Sequence, residues 1–427
     1  MDRRALALSL RSLLRMLVRG LPARLFVLPA LERNERSVAA LEAYVARRAG
    51  VLGVPLPPDA TGLHAVPAGA ALLTKSALRQ QGARHVRPRR FGSLLRTTIR
   101  TSGTTGSPLS LEQSLGAVVR EEAFVQRQLG WIGWRPGQRR AWIRGDIVCD
   151  ARPADGRYWR RDWIGRMLFM SSYHLSGETI GAYVAALEDF DPVVIHAYPS
   201  SAGAIAHWLA AAGRRYGGRS LRGVMTSSET LAPGVRAAIA GAFGVPVFDW
   251  YGQAERVAAI GTCEQGRYHL LTDYGGVELL ALPGGTSELV GTSLGNAAMP
   301  LARYRTGDTI VVGDLAPCPC GRVFPTIDAV IGRQERIVTL PDGRMVARLD
   351  RVFQGQDRCL IEGQVRYHGQ GRFTLRVVAT DAFDSQAEAA LRERFLSRVP
   401  GVQVAVERVG AIERGANGKF EFIALEE

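Results

Sequence analysis

Apolar positions in the first ninety residues recur mostly at helical spacing. Leu10, Leu13, Leu14 and Leu17 are the clearest group, and a Pro-rich stretch at 55–58 interrupts the pattern. Small and hydroxylated residues over 98–110 predict a loop. Beyond it, helical periods alternate with short apolar runs. The pattern predicts helices at 120–129, 178–190, 202–212 and 233–243. It predicts strands at 141–148, 193–196, 221–226 and 245–250. That alternation argues for an α/β body built on a largely parallel sheet. After residue 276 short strand-like runs dominate, at 277–282, 287–292 and 309–312, with Gly and Pro turns between them. After Gly332 a compact α+β tail follows, with strands at 365–368, 373–379 and 402–407 and a helix at 385–398. No internal repeat interrupts the sequence.

A chain of 427 residues exceeds what one compact core organises, so two or more domains are expected. Hydrophobic residues at 46% and charged residues at 22% describe an ordinary globular protein. The formal charge of +14 raises the question of nucleic acid. The cations are scattered arginines, however, and only Lys75 and Lys419 are lysines. Richness in Ala, Gly and Arg reflects a GC-rich genome. No basic stripe with interleaved aromatics appears, so no nucleic-acid partner is expected. Five cysteines in a long chain do not read as a disulfide framework, and a reducing, cytoplasmic location is expected. The basic, apolar N-terminus is interrupted by arginines at 11, 15, 19 and 24. It reads as a helix packed on the body, or as an interfacial membrane helix, and no transmembrane segment is expected. Nothing in the sequence fixes the oligomeric state.

Three groups of residues carry candidate chemistry. The first is Thr101-Ser102-Gly103-Thr104-Thr105-Gly106-Ser107-Pro108. Its hydroxyls and approachable backbone N–H groups are the donors a polyphosphate needs, although no Gly-Lys-Ser/Thr follows as in a Walker loop. The second is Cys263, His269, Cys318 and Cys320, a valid ligand set for a closed structural zinc site. The alternative is a set of unrelated buried thiols. The third comprises Tyr173, His174, His196, Tyr198 and Trp250. These follow predicted strand ends, where α/β sheets place ligands, and would suit a flat or aryl acid. They could equally be core.

The Ser/Thr/Gly loop is followed in order by Tyr251-Gly252-Gln253-Ala254-Glu255, Tyr304-Arg305-Thr306-Gly307-Asp308, Gly332-Arg333-Gln334-Glu335 and Asn417-Gly418-Lys419. This ordered set resembles the adenylate-forming superfamily of acyl-CoA synthetases and adenylation domains. It is most similar to the phenylacetate–CoA ligase branch with its capsule-biosynthesis, CapK-like relatives. The resemblance runs from about residue 98 to 423.

The resemblance implies a large α/β body over 1–334 and a small mobile α+β lid over 335–427. It implies that Ser102, Gly103, Thr104, Thr105 and Gly106 hold the β- and γ-phosphates of ATP, and that Glu255 ligates Mg²⁺. Asp308 would bind both ribose hydroxyls, Tyr251 and Gly252 would line the adenine site, and Arg333 would lie near ribose or phosphate. Ser228 and Glu229 would sit where backbone meets adenine and acyl group. Lys419 would bridge carboxylate and α-phosphate in the adenylation transition state. The hinge falls at Glu335, where most relatives carry Asp. Pro108 is followed by Leu109, where many relatives carry Lys.

The implied reaction is activation of a carboxylic acid, aryl or related, with ATP and Mg²⁺ to an acyl-adenylate. Transfer to a thiol follows, with coenzyme A first and a carrier protein second among acceptors. An adenylating enzyme of polysaccharide or natural-product assembly and a non-catalytic nucleotide-binding relative remain as alternatives.

Overall fold

In the computed structural model the described residues are 3–89, 94–101, 109–150, 153, 155–175, 178–282, 285–313, 316–332, 338–346, 349–353, 359–379, 382–410, 412 and 423–425. The architecture is α/β with parallel-rich sheets, as the alternation of periods predicts.

A nine-stranded sheet forms the centre. Five of its strands are parallel neighbours, in the order Met167–Ser171, Arg140–Arg144, Val194–Ala197, Gly223–Ser227 and Val247–Gly252. Antiparallel strands extend both edges: Trp159–Asp162 on one side, then Ala259–Thr262, Tyr268–Leu270 and Thr326–Ile327 on the other. The parallel strands are apolar on both faces because both faces are covered. Helices Ile180–Phe190, Pro199–Ala211 and Pro233–Phe243 share a core with one face, centred on Ile143, Ile195 and Val224. Helix Leu115–Trp131 and the N-terminal helices share another core with Val194, Met225 and Phe248 on the opposite face. Each fully buried aliphatic side chain contributes about 1.5–3 kcal/mol.

A second sheet has the order His64–Ala65, Gly275–Ala281, Thr286–Ser293, Tyr304–Val311 and Ala329–Gly332, and is antiparallel except at its first pair. A separate hairpin pairs Arg96–Thr101 with Leu109–Ser114. The C-terminal strands Leu360–Tyr367, Arg372–Ala379, Gln403–Arg408 and Ile423–Leu425 form one sheet. Helix Ser385–Arg398 packs on it around Phe373, Leu391 and Phe395. That helix is started by Asp384, whose side chain accepts from the Ala387 N–H at 2.8 Å.

Several sequence expectations shift. The strand expected over 141–148 stops at Arg144, where the Asp146 N–H turns back to the Arg144 carbonyl at 2.8 Å. The loop expected over 98–110 is strand at both ends, because alternation buries Leu109 and Leu111 while Ser110 stays exposed. The helix expected at 120–129 extends over Leu115–Trp131, started by the Ser114 hydroxyl. Strand Trp159–Asp162 was not expected, since three of its four residues are charged and no apolar alternation marks it.

Candidate active site and metal centre

The parallel strands end together on one side of the sheet, and the chain leaves them through polar residues. Arg144 closes the first strand. Its guanidinium lies over the Trp142 ring at 4.8 Å and the Tyr198 ring at 5.2 Å, and its Nη2 donates to Ser228 Oγ at 2.5 Å. Ser228 has a left-handed backbone, φ 70°, which is uncommon for a residue with a side chain and re-aims the chain directly after strand Gly223–Ser227. The next residue, Glu229, accepts from the Ser200 N–H at 3.0 Å and the Ser200 hydroxyl at 3.1 Å. Two strand ends are thereby fastened to one another.

The 251–255 segment lies against the strand Tyr304–Val311. Alternation along that strand turns Tyr304, Thr306 and Asp308 to the buried side. The Tyr251 hydroxyl donates to Asp308 Oδ2 at 2.7 Å, and the Tyr304 hydroxyl donates to Glu255 Oε1 at 2.9 Å. The two motifs therefore exchange a tyrosine and a carboxylate crosswise. Both carboxylates are buried, and each is oriented by a phenol. Gly307, between them, has φ 73° and donates its N–H to Glu288 Oε1 at 3.1 Å, a conformation that suits glycine. Glu288 is held in turn by Arg305 at 2.5 Å. Gly252 is exposed beside this pair.

The expected acid-pocket residues separate. Tyr173 and Tyr198 line one small cleft with Ser200 and Arg344. Tyr173 donates to the Gly145 carbonyl at 3.0 Å, whereas the buried Tyr198 hydroxyl has no hydrogen-bond partner among the described residues. His196 is buried in the sheet. Its Nε2 meets Ser227 Oγ at 3.0 Å, and its ring meets the Trp142 ring edge-on at 4.6 Å. Burial, then Arg144 and Arg140, push its pKa well below the usual value, so it is a neutral hydrogen-bonding group. His174 stacks on Tyr158 at 4.9 Å with Nδ1 at 2.7 Å from Ser171 Oγ. Trp250 is core, in the cluster that contains Phe248 and Ile132.

Arg144, Tyr304 and Glu288 were not singled out from sequence, whereas Ser200 closes the candidate segment His196-Ala197-Tyr198-Pro199-Ser200. Tyr304 had a signal, since it opens the Tyr-Arg-Thr-Gly-Asp motif four residues before Asp308. Ser102, Gly103, Thr104, Thr105, Gly106, Arg333, Glu335 and Lys419 lie outside the described residues. Thr101 and Leu109, on either side of the Ser102–Gly106 segment, are paired.

Cys263, His269, Cys318 and Cys320 come together, with their ligand atoms all within 4.8 Å of one another and every side chain buried. The Cys263 and Cys318 Sγ atoms are 3.7 Å apart, and Cys320 Sγ is 3.4 Å from His269 Nε2. Zinc–sulfur bonds of about 2.3 Å and zinc–nitrogen bonds of about 2.0 Å give tetrahedral edges of about 3.8 and 3.5 Å, so the set fits. His269 Nδ1 lies 3.3 Å from the Phe324 carbonyl, which can only accept, so Nδ1 carries the proton and Nε2 keeps its lone pair toward the sulfurs. Burial lowers the His269 pKa to about 4 and raises that of the Cys263 thiol to about 12. Burial also opposes ionisation at Cys320, but the backbone and side chain of Arg322 hold this thiol below its usual value. Arg322 lies 4.1 Å over Trp131 and donates to Glu264 at 2.8 Å, which steadies the turn that carries Cys318 and Cys320.

The chain aligns with protein CapK of Staphylococcus aureus at 24% identity over 233 residues, 55% of this chain and 52% of that protein. It aligns with phenylacetate-coenzyme A ligase of Thermus thermophilus at 27% over 253 residues, 56% of this chain and 55% of that one. Over this region the chain is similar to phenylacetate–CoA ligase and CapK proteins. It spans about half the length of the curated relatives it matches. No protein-family model matches the chain. It is also similar to a solved structure, 2-hydroxyisobutyryl-CoA ligase in complex with 2-HIB-AMP and CoA, with a TM-score of 0.49 and 18% identity over 93% of this chain and 89% of that chain. Among the described residues no helix is long and apolar enough to cross a membrane.

Proposed function

We propose that the chain activates a carboxylic acid with ATP, forming an acyl-adenylate and releasing pyrophosphate, and then transfers the acyl group to a thiol, coenzyme A first among acceptors. The observation that carries this reading is the crosswise pairing of Tyr251 with Asp308 and of Tyr304 with Glu255. A carboxylate offers two acceptor oxygens to the two hydroxyls of a ribose, and the phenol on Asp308 Oδ2 fixes its plane beforehand. Tyr251 would then line the adenine, beside the exposed Gly252. Glu255, oriented by Tyr304, would hold Mg²⁺, which supplies charge neutralisation to the polyphosphate. Ser102 to Gly106 would cradle the phosphates and Arg333 would contact ribose or phosphate. Ser228 and Glu229, fastened by Arg144 and Ser200, would present backbone to adenine and acyl group.

The acid would enter near Tyr173 and Tyr198, with His196 as a neutral neighbour. In this reading 335–427 is a lid that turns at Glu335 and delivers Lys419. The Cys₃His set would hold a structural zinc ion.

ATP–pyrophosphate exchange with a panel of aryl, fatty and amino acids tests the reading. Exchange with one class is expected and names the substrate. Absence of exchange with every acid, together with measurable ATP binding, would instead point to a non-catalytic relative. Asp308→Ala is expected to weaken ATP binding by on the order of tenfold to a hundredfold, as for a lost charged hydrogen-bond acceptor. Calorimetric titration with ATP reads this directly, and unchanged affinity would remove Asp308 from the ribose site.

A further inference from the structure

The N-terminal helix is turned the wrong way round for a helix that only packs on its own body. The helical run from Arg3 to Asn34 includes two π-helical turns, Met16–Gly20 and Ala23–Val27. Among its described side chains up to Ala23, those buried against the protein are small, and large apolar burial begins only with Leu31 at its end. Ser9 is buried and accepts the Trp163 N–H at 3.1 Å, Ala23 is fully buried, and the Gly20 carbonyl accepts from Gln126 at 3.4 Å. Most of its large apolar residues before Val27 are outside. Leu10 is 55% exposed, Leu14 62%, Leu25 63% and Phe26 79%, with Leu6, Leu17 and Leu21 also exposed. Spacings of four, four, three, four and four residues from Leu6 to Leu25 set these leucines in one stripe along the helix. A helix of a water-soluble surface shows the opposite arrangement.

Two further observations say what covers the stripe. Between positions 3 and 31 the chain has six arginines and no acidic residue. Arg11, Arg19 and Arg24 are exposed, and Arg15 is tied to Glu122 at 2.8 Å. Next to the helix, the turn after Trp159–Asp162 exposes Trp163, at 60%, together with Ile164. The cleft beside Trp163 is lined by Arg139, Arg161 and Arg166, of which Arg139 and Arg161 pair with Asp191 and Asp189. A leucine stripe flanked by arginines, with a tryptophan at its border, has the chemistry of a surface that lies in a lipid headgroup layer.

We propose that this face docks the protein onto an anionic membrane surface. The leucines and Phe26 enter the acyl boundary, Trp163 sits at headgroup level, and the arginines meet lipid phosphates. The rest of the molecule stays in water.

The full chain is tested against phosphatidylcholine vesicles with and without phosphatidylglycerol, by co-sedimentation at low and high salt. Binding to the anionic vesicles that weakens with salt is expected. The variant Leu10→Ser/Leu14→Ser/Leu25→Ser/Phe26→Ser should bind at least tenfold more weakly while keeping the native melting temperature, since these side chains are mostly in water already. Trp163→Ser should weaken binding several-fold, and Arg11→Gln/Arg19→Gln/Arg24→Gln should abolish the preference for anionic lipid. Failure of the native chain to bind anionic vesicles would overturn the proposal. So would equal binding by the quadruple variant. A native dimer that the same four substitutions dissociate would assign the face to a second copy of the chain and overturn it equally.

Discussion

Replacing Cys318 and Cys320 together by serine is expected to release close to one zinc ion per chain and to lower the melting temperature sharply. Serine cannot supply the thiolates that a closed zinc site needs, and the two remaining ligands cannot hold the ion. The loss in stability should reach several kcal/mol. It should stay below the about 10–16 kcal/mol that zinc supplies to finger peptides, because the sheet here has a large apolar core of its own. Metal analysis of the purified chain and thermal unfolding with and without a chelator check this. Stoichiometric zinc in the parent and none in the double variant is the expected pair of results. A metal-free parent that melts at the same temperature as the variant would sink the site.

The ion would do more than close a loop. His269 lies in strand Tyr268–Leu270, and Cys263 follows strand Ala259–Thr262, which pairs with the strand carrying Tyr251. Tyr268, adjacent to His269, donates its hydroxyl to Asp249 at 2.9 Å, two residues before Tyr251. The buried Asp249 has its pKa raised by burial, against the hydrogen bonds from Thr226 and Tyr268 that favour the carboxylate. Releasing the metal would loosen the two antiparallel strands that brace this position. Weaker ATP binding in the zinc-free variant is therefore expected alongside its lower stability.

What could be read from the sequence depended on how rare each residue type is in this chain. Cysteine is scarce, with five in all, so four ligand-type residues in two short segments carried information, and the structure brings all four together. Arginine is abundant, with 52 of the 54 basic residues once the two lysines are subtracted, so nothing marked Arg144 as the cation that fastens Ser228. Aromatics at strand ends were legible as candidates but not as a set. The period of two in a strand decides which face a ring takes, and it sends Trp250 into the core with Phe248 while Tyr251 turns to Asp308. Periodicity likewise showed a leucine stripe at the N-terminus but not which side of the helix the body covers. That depends on Ser9 and Gly20 finding partners more than a hundred residues away. The pairing of Tyr304 with Glu255 depends on the register between two motifs, which neither motif encodes by itself.

Lys419→Ala is expected to slow adenylation by on the order of 10²–10³ while leaving ATP affinity and acyl transfer from preformed acyl-adenylate nearly intact. When a carboxylate attacks the α-phosphate, negative charge accumulates on oxygens that are already anionic, and pyrophosphate departs. A cation fixed between the two reactants lowers that barrier by about 2.7–4 kcal/mol, the worth of one pre-placed donor. The sequence offers only two lysines for the role, and Lys419 lies four residues before strand Ile423–Leu425. That strand pairs in parallel with Leu360–Tyr367, Ile423 beside Val365, so the segment carrying Lys419 leads into the edge of the C-terminal sheet. A lid that turns between half-reactions would bring such a residue to the α-phosphate in one step and remove it in the next. For that reason the transfer step should be spared. Lys419→Arg keeps the charge but replaces a compact ammonium by a planar fork, and is expected to recover only part of the rate. Pyrophosphate exchange reads the first half-reaction, and thioester formation from synthetic acyl-adenylate reads the second. A defect of equal size in both would place Lys419 in structural support of the lid. A normal exchange rate would take it out of the chemistry.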